Sequence, residues 1–449
     1  MASIGEYAFE GCSSLTSIEI PNSVTCIGES AFEGCSSLTS IEIPNSVTCI
    51  GESAFEGCSS LTSIEIPNSV TSIGRFAFKN CSSLPIVDNC RYADTYLVEV
   101  VDITIAACRI KEGTRYIGSN AFNGCSNLTS IEIPNSVTSI GYSAFRDCGL
   151  TSVIIPNSIT TIGKHAFFDC SSLTDVTLTE GLTLIGEEAF HTCAISAISL
   201  PQSLIRIGEQ AFQNCRQLTS ITLPKNVAYL GNADYGEDDL YGDVFNGCDL
   251  LTEIKVDEQN QVYTSVNGLL MTKDMKTLLY IPGAKTDVVV PEGTETIYRH
   301  AVSSDNLTTI TLPKSLKSIE NCYSNGLTSI ISKMETPATV GSYSFSYRVY
   351  DNATLYVPIG TKSKYEAADS WKNFKNIVES GDVNGDGSVS VTDVVSVINY
   401  ILGNHVANFL EVAADANCDG TIAITDVVRL INIILNDDSY AKPSVMFEE

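Results

Sequence analysis

Apolar residues recur along the chain in a fixed order. A run L-x-x-I-x-I-P is followed by a Val/Ile pair and then by A-F-x-x-C. In residues 4–26, IGEYAFEGCSSLTSIEIPNSVTC, Leu15, Ile18 and Ile20 form the first run, and Ser17 and Glu19 alternate with it. That period of two predicts a half-buried strand. Pro21 ends it, having no N–H to give a ladder. Asn22-Ser23 predicts a turn. Val24 and Ile27 predict a second, short strand. Ala31-Phe32 and Cys35 predict a helical turn that returns the chain to Leu38. Residues 27–49 and 50–72 repeat the unit almost letter for letter, and the Ile-Gly pair recurs every 22 or 23 residues from Ile4 to Ile207, with one 44-residue jump. Such coils stack at about 4.8 Å into parallel sheets, so the pattern predicts a β-rich repeat solenoid over residues 1–379.

Two departures interrupt the register, near 85–116 and 232–296. Their text (TYLVEVVDITI and GLLMTKDMKTLLYIP) predicts elaborated coils with hairpins. The stretch NADYGEDDLYGD (232–243) reads as an acidic loop. Residues 335–379 hold Trp371, the sole tryptophan, and are expected to cover the apolar end of the stack. Ten phenylalanines from Phe9 to Phe245 share one slot, each followed three residues later by a cysteine, Cys12 to Cys248. Disulfides or a metal column are the chemical reading. Small buried thiols packed under phenylalanine are the simpler one, because stacked Cβ vectors run parallel and no second C-x-x-C pair supports zinc. Cys26 and Cys49 fill a slot held elsewhere by Ser72, Ser139 and Thr161, so no sulfur chemistry is expected there.

The text changes after Ser380. Residues 382–393, DVNGDGSVSVTD, and 415–426, DANCDGTIAITD, each have the form D-x-[ND]-x-[DN]-G. Oxygens at loop positions 1, 3 and 5 converge on a hard cation, glycine at 6 permits the sharp turn, and a carboxylate at 12 closes the shell. The ligand set is Asp382, Asn384, Asp386, Ser388, Ser390 and Asp393 in the first loop. In the second it is Asp415, Asn417, Asp419, Thr421 and Asp426, with Ala423 at position 9 weakening the site. Two Ca²⁺ ions are expected. Apolar helices follow both loops, with Val394, Val397, Ile398 and Ile401 on one face. The chain has 53 acidic and 26 basic residues, a net charge of −27, of which residues 381–449 contribute −9. That excess argues against nucleic acid as a partner, and no apolar run is long enough to span a membrane.

The motif I-G-x-x-A-F-x-x-C-x-x-L-T-x-I-x-I-P resembles the BspA-type bacterial leucine-rich repeats. The resemblance implies a leucine-rich-repeat solenoid, parallel sheet with short helical turns, in a secreted or cell-surface bacterial protein that binds host or other extracellular proteins or glycans. The N-terminus, MASIGEYAFEGC, has no visible export signal and starts inside a repeat, as a fragment or processed form would. Residues 381–440 resemble a type I dockerin, a small all-α calcium-binding domain, with 441–449 as a tail. That resemblance implies a cohesin-type partner, recognised through loop positions 10 and 11, here Val391, Thr392, Ile424 and Thr425, and through the helices that follow. The near-duplication implies docking in two orientations. The simpler alternative is that the loops only fold the module.

No nucleophile, zinc or phosphate-loop motif appears. The expectation is therefore a non-catalytic, adhesin-like monomer. The alternatives are an accessory component or hydrolase of a polysaccharide-degrading complex, whose two-carboxylate site sequence does not exclude, or a plain spacer. Glu19, Glu42, Glu65 and Glu132 predict a stacked acidic row on the outward face. It is either a solvated face or a strip for a basic partner.

Overall fold

The computed structural model describes residues 2–231, 243–320, 322, 324–341, 344–417 and 419–436. The acidic stretch 232–243, apart from Asp243, and the tail 441–449 lie outside them. The chain forms two compact units, Met1–Tyr263 and Thr264–Glu449.

In the first unit each repeat is one coil whose short strands pair in parallel with those of the next. Ser40–Glu42 pairs with Ser63–Glu65 in register, as the alternation predicts, and Ile41 and Ile64 face inward. The Val/Ile pair makes the second strand. Ala2–Ile4, Val24–Ile27, Cys49–Ile50 and Ser72–Ile73 form one sheet. The insertion near 85–116 is a hairpin, as expected: Cys90–Ala93 pairs antiparallel with Ile86–Val87 and with Tyr96–Val100, and the parallel order then resumes at Tyr116–Ile117. The return segments are tight turns. Ser30 and Ser53 have φ of 49° and 50°, and Gly34 and Gly57 of 70° and 73°. Those left-handed values break the expected helical turn into single i→i+3 turns.

The recurring Ile-Gly pair has a steric cause. A Cβ on Gly51 would lie 2.5 Å from the carbonyl carbon of Gly28, and the same holds coil after coil. Only glycine lets adjacent backbones approach this closely. Under each phenylalanine, Cys35 donates its thiol to the Phe9 carbonyl at 3.2 Å, Cys58 to Phe32 at 3.2 Å, and Cys170 to Phe145 at 3.0 Å. Each of those carbonyls already takes the N–H three residues on. The thiol thus fills the second lone pair of a buried acceptor across the coil boundary. Burial pushes the Cys81, Cys170 and Cys215 thiols up to about 12. The phenylalanines stack with centroids 5.2 to 5.4 Å apart from Phe9 to Phe78, and 5.1 to 6.1 Å apart from Phe122 to Phe245.

One expectation is overturned. Cys26 and Cys49 form a disulfide. They are register partners on adjacent parallel strands with Cα atoms 4.9 Å apart. In-register neighbours at one strand spacing fall within disulfide reach even though their backbones run parallel. Cys90 and Cys108 in the insertion lie outside the phenylalanine slot, with sulfurs 3.7 Å apart.

In the second unit the hairpin Leu269–Thr272 with Thr277–Tyr280 leads into parallel strands. One sheet runs Asp287–Val289, Thr309–Leu312, Ser329–Ser332, Thr354–Val357 and Asn376–Glu379. Helices α1 (Tyr347–Asn352) and α2 (Lys362–Ala367) flank Thr354–Val357 in sequence. Trp371 is fully buried, gives its indole N–H to the Ala338 carbonyl at 2.8 Å, and packs with Phe345, Tyr365 and Phe374. Residues 335–379 thus bury the apolar end as expected, but they also extend the sheet by Thr354–Val357 and Asn376–Glu379, which leaves Asn376–Glu379 as its edge strand. Helices α3 (Val391–Ile401), α4 (Glu411–Ala414) and α5 (Ile424–Asn436) follow.

Gly51→Ala is expected to destabilise the first unit by about 1–3 kcal/mol, the usual cost of overpacking, measured by denaturant titration; an unchanged midpoint contradicts the steric argument. Alkylation of the native protein should reach Cys12, which is exposed, and spare the buried ladder thiols. After denaturation without reductant, Cys26 and Cys49 should be the pair still protected. Peptide mapping that finds Cys58 or Cys170 modified in the native protein would contradict this.

Candidate metal centre and docking face

The two loops share most of their hydrogen bonds. In the first, the Asp386 N–H donates to Asp382 Oδ1 at 3.1 Å and the Gly387 N–H to Asp382 Oδ2 at 2.9 Å. In the second, the Asp419 and Gly420 N–H groups bind Asp415 at 3.0 and 2.8 Å. Position 6 needs glycine in both, since Gly387 and Gly420 each have φ of 90°. Asp393, at position 12, accepts from the N–H groups of Val383 at 2.9 Å and Ser390 at 2.8 Å. Asp426 accepts from Asn417 at 3.0 Å and Ala423 at 2.9 Å. Ala423 thus keeps the backbone bond of its slot and lacks only the hydroxyl. Ser388 and Thr421 each donate their hydroxyl to the position-5 aspartate at 2.7 Å.

Electrostatics points to a cation. Asp393 and Asp426 are both 0% exposed, and among the described residues neither they nor Asp382 and Asp415 have a lysine or arginine partner. Burial, with the position-12 and position-5 carboxylates close by, raises the carboxyls of Asp382 and Asp415 above the usual range. Buried carboxylates without a counter-charge are costly. A hard cation with an all-oxygen donor set fits them, and Ca²⁺ is the ion this donor chemistry suits. No lysine or arginine lies at a loop position, so the divalent charge would be the main local offset.

The helices carry a second duplication. Val397 and Leu430 are fully buried where α3 packs on α5, with Val394 and Val427 beside them. Outward, α3 exposes Val391, Val395 and Ile398, with its C-cap residue Leu402 in line, and α5 exposes Ile424, Val428, Ile431 and Leu435. Both stripes run i, i+4, i+7, i+11, and each member lies 33 residues from its counterpart. Of the face expected from periodicity, Val394 and Val397 are buried, but Ile398 and Ile401 are exposed. Two short helices sharing one interface bury a narrow stripe each and leave the rest outside. Val391 and Ile424, at loop position 10, are 65% and 64% exposed and open these stripes, with Thr392 and Thr425 exposed beside them.

The module is not detached from the repeats before it. Val383, Val389, Ala413 and Leu430 share a core with Tyr356, and Ile331 and Val378 of the same sheet pack against it.

The glutamate row is shorter than its spacing predicts. Glu42 pairs in register with Glu65, and Glu19 bridges to Glu42. Glu132, by contrast, has Arg109 as its register partner and pairs with it at 3.2 Å. The strand Ala107–Arg109 supplied by the insertion places an arginine in the slot. Further on, Ile154 and Thr177 occupy it, and Ile154 is exposed. Sequence reasoning also passed over His165, which with Glu187 and Glu188 forms a cluster of metal-type donors within 4.8 Å of one another. Lys164 already engages Glu187 at 2.6 Å.

Fold and loops together define a repeat solenoid bearing a paired calcium-loop module. Residues 1–95, 102–196, 183–266 and 284–366 match the family described as BspA type leucine-rich repeat region, in six copies, and the chain belongs to that family. Residues 380–435 match the dockerin type I domain, a calcium-binding type whose partner is a cohesin. No curated protein sequence matches the chain. A leucine-rich repeat protein of known structure from Bacteroides ovatus is 24% identical, over 84% of this chain and 87% of that one, with a TM-score of 0.44. A leucine-rich cell surface protein from Faecalibacterium prausnitzii is 21% identical over 84% and 90%, with a TM-score of 0.33. The pneumococcal vaccine antigen PcpA is 18% identical over 81% and 93%, with a TM-score of 0.33. Both matching families are non-catalytic types, typically extracellular or surface-associated. Among the described residues no helix is long and apolar enough to cross a membrane.

Asp393→Ala should strand the Val383 and Ser390 N–H groups and destabilise the module by about 1–3 kcal/mol even in chelator, since each lost acceptor leaves a buried donor unmet. Hydrogen exchange of those amides measures it; unchanged protection refutes the role of Asp393 as a loop clamp.

Proposed function

We propose that the chain is a non-catalytic, adhesin-like protein of the bacterial exterior. Residues 1–379 act as the binding solenoid for a protein or glycan, and residues 381–440 act as a calcium-dependent plug for a cohesin. Two Ca²⁺ ions are held, one by Asp382, Asn384, Asp386, Ser388, Ser390 and Asp393, the other by Asp415, Asn417, Asp419, Thr421 and Asp426. The observation that carries the reading is the pair of exposed apolar stripes beginning at Val391 and Ile424. Soluble proteins seldom leave such stripes on two helices without a partner to cover them.

The duplication gives the partner two equivalent ways to seat, by the Val391–Thr392 stripe or by the Ile424–Thr425 stripe. Calcium binding fixes the loops that open each stripe. The exposed run Glu19, Glu42 and Glu65 supports a strip for a basic ligand on the solenoid, because like charges at one strand spacing repel until a cationic group intervenes.

Titration calorimetry against a panel of type I cohesins tests the docking. With calcium we expect one saturable partner. Val391→Asp or Ile424→Asp alone should weaken binding less than tenfold, and the double variant should abolish it. Calcium titration should give a stoichiometry of two. Failure of every cohesin in saturating calcium would sink the docking role.

A further inference from the structure

Lys314, Lys333, Lys364 and Arg429 line one open cavity of about 600 Å³ in the second unit. They arrive from four places: the turn after Thr309–Leu312, the residue after Ser329–Ser332, helix α2 and helix α5. Glu335 is the one carboxylate side chain in the lining. Many basic residues elsewhere on this acidic chain sit beside carboxylates, as in Arg75–Glu52 at 3.2 Å, Lys79–Glu56 at 3.2 Å and Lys317–Glu295 at 2.6 Å, whereas here several converge on one cavity from separate elements. In the cavity, Lys314, Lys364 and Arg429 form no ion pair with any described residue. Lys364 Nζ donates instead to the backbone carbonyl of Glu335 at 3.0 Å. Lys314 also departs from the repeat text: it follows Pro313 where most units have asparagine after proline.

Lys314, Lys364 and Arg429 face one carboxylate in the lining, Glu335, and in a chain of net charge −27 they form a local excess of positive charge that an anion would relieve. The size falls within the roughly 300–1,000 Å³ of small-molecule sites, so a lone inorganic anion would leave most of it empty. Ile359 and Ile433 give it an apolar wall, and the lining holds no aromatic ring on which a nucleobase could stack. The surrounding negative charge disfavours a long polyanion.

We propose that this cavity binds an acidic sugar, a uronate or a sulfated pyranose, with its anionic group among Lys314, Lys364 and Arg429 and its ring against Ile359 and Ile433. The site is separate from the exposed stripes of α3 and α5 and does not depend on cohesin docking.

The test uses the full chain in saturating calcium, titrated with digalacturonate, a sulfated disaccharide, inorganic sulfate and a short aspartate peptide. We expect saturable binding of at least one of the two disaccharides, weakened tenfold or more by Lys314→Ala and by Arg429→Ala, partly restored by Lys314→Arg, and weakened by added salt. Both substituted residues are exposed, and circular dichroism with calcium titration verifies that the variants fold. Three results would overturn the proposal: no saturable binding of either disaccharide, binding indifferent to both substitutions, or sulfate or the peptide binding as tightly as the sugars.

Discussion

The distance between one coil and the next governs the rest of this molecule. Backbone pairing holds neighbouring coils at one strand spacing, so a residue's nearest neighbour is its counterpart about 23 positions away. A Cβ at Gly51 or Gly74 would collide with the adjacent backbone, and phenylalanine rings must stack face to face. The buried turn carbonyls need a second donor that fits the same gap. A thiol does so at lower desolvation cost than a hydroxyl. The Cys26–Cys49 bridge obeys the same rule, since strand spacing brings any in-register cysteine pair within reach.

This rule also explains what was legible in the sequence. Strands, insertions and the phenylalanine ladder depend on period, and period is visible in one chain. The hydrogen bond from Cys35 to Phe9 depends on which carbonyl has a free lone pair, which no spacing reveals. The expected helical turns failed because left-handed φ at Ser30 and Gly34 leaves no mark when the residue is serine. The glutamate row was overextended because the insertion carries a strand of its own, and its Arg109 takes the slot before Glu132. For the calcium module, loop positions were readable because the motif fixes backbone geometry. The helix faces were not: periodicity names apolar positions without saying which of two apolar faces is buried. Ile398 looks like core in the text and stands outside in the fold.

The seam between the last sheet and the module follows from two facts. The strand Asn376–Glu379 leads within three residues into Asp382, so the first loop starts at the sheet edge. The module is too small to bury its own apolar surface fully, and Tyr356, Ile331 and Val378 supply the remainder. Ile331, Tyr356 and Val378 are register neighbours across three adjacent strands, so the module packs on one face of the last sheet. Its fold is then linked to the terminal coils as well as to calcium.

Charge completes the argument. Repeats of one sequence stack their charges as surely as their rings, so an acidic unit yields rows of carboxylates that repel at strand spacing. The chain relieves this in three different ways. Between coils it inserts a basic partner, as Arg109 does for Glu132 and Arg75 for Glu52. In the module it gathers carboxylates around backbone N–H groups, in a form that suits a divalent cation. At the seam it does the reverse, and among the described residues Lys314, Lys364 and Arg429 have no carboxylate partner. Their convergence on one cavity from three separate elements is not explained by solubility, which the net charge already provides, and it directs attention to a ligand that carries negative charge.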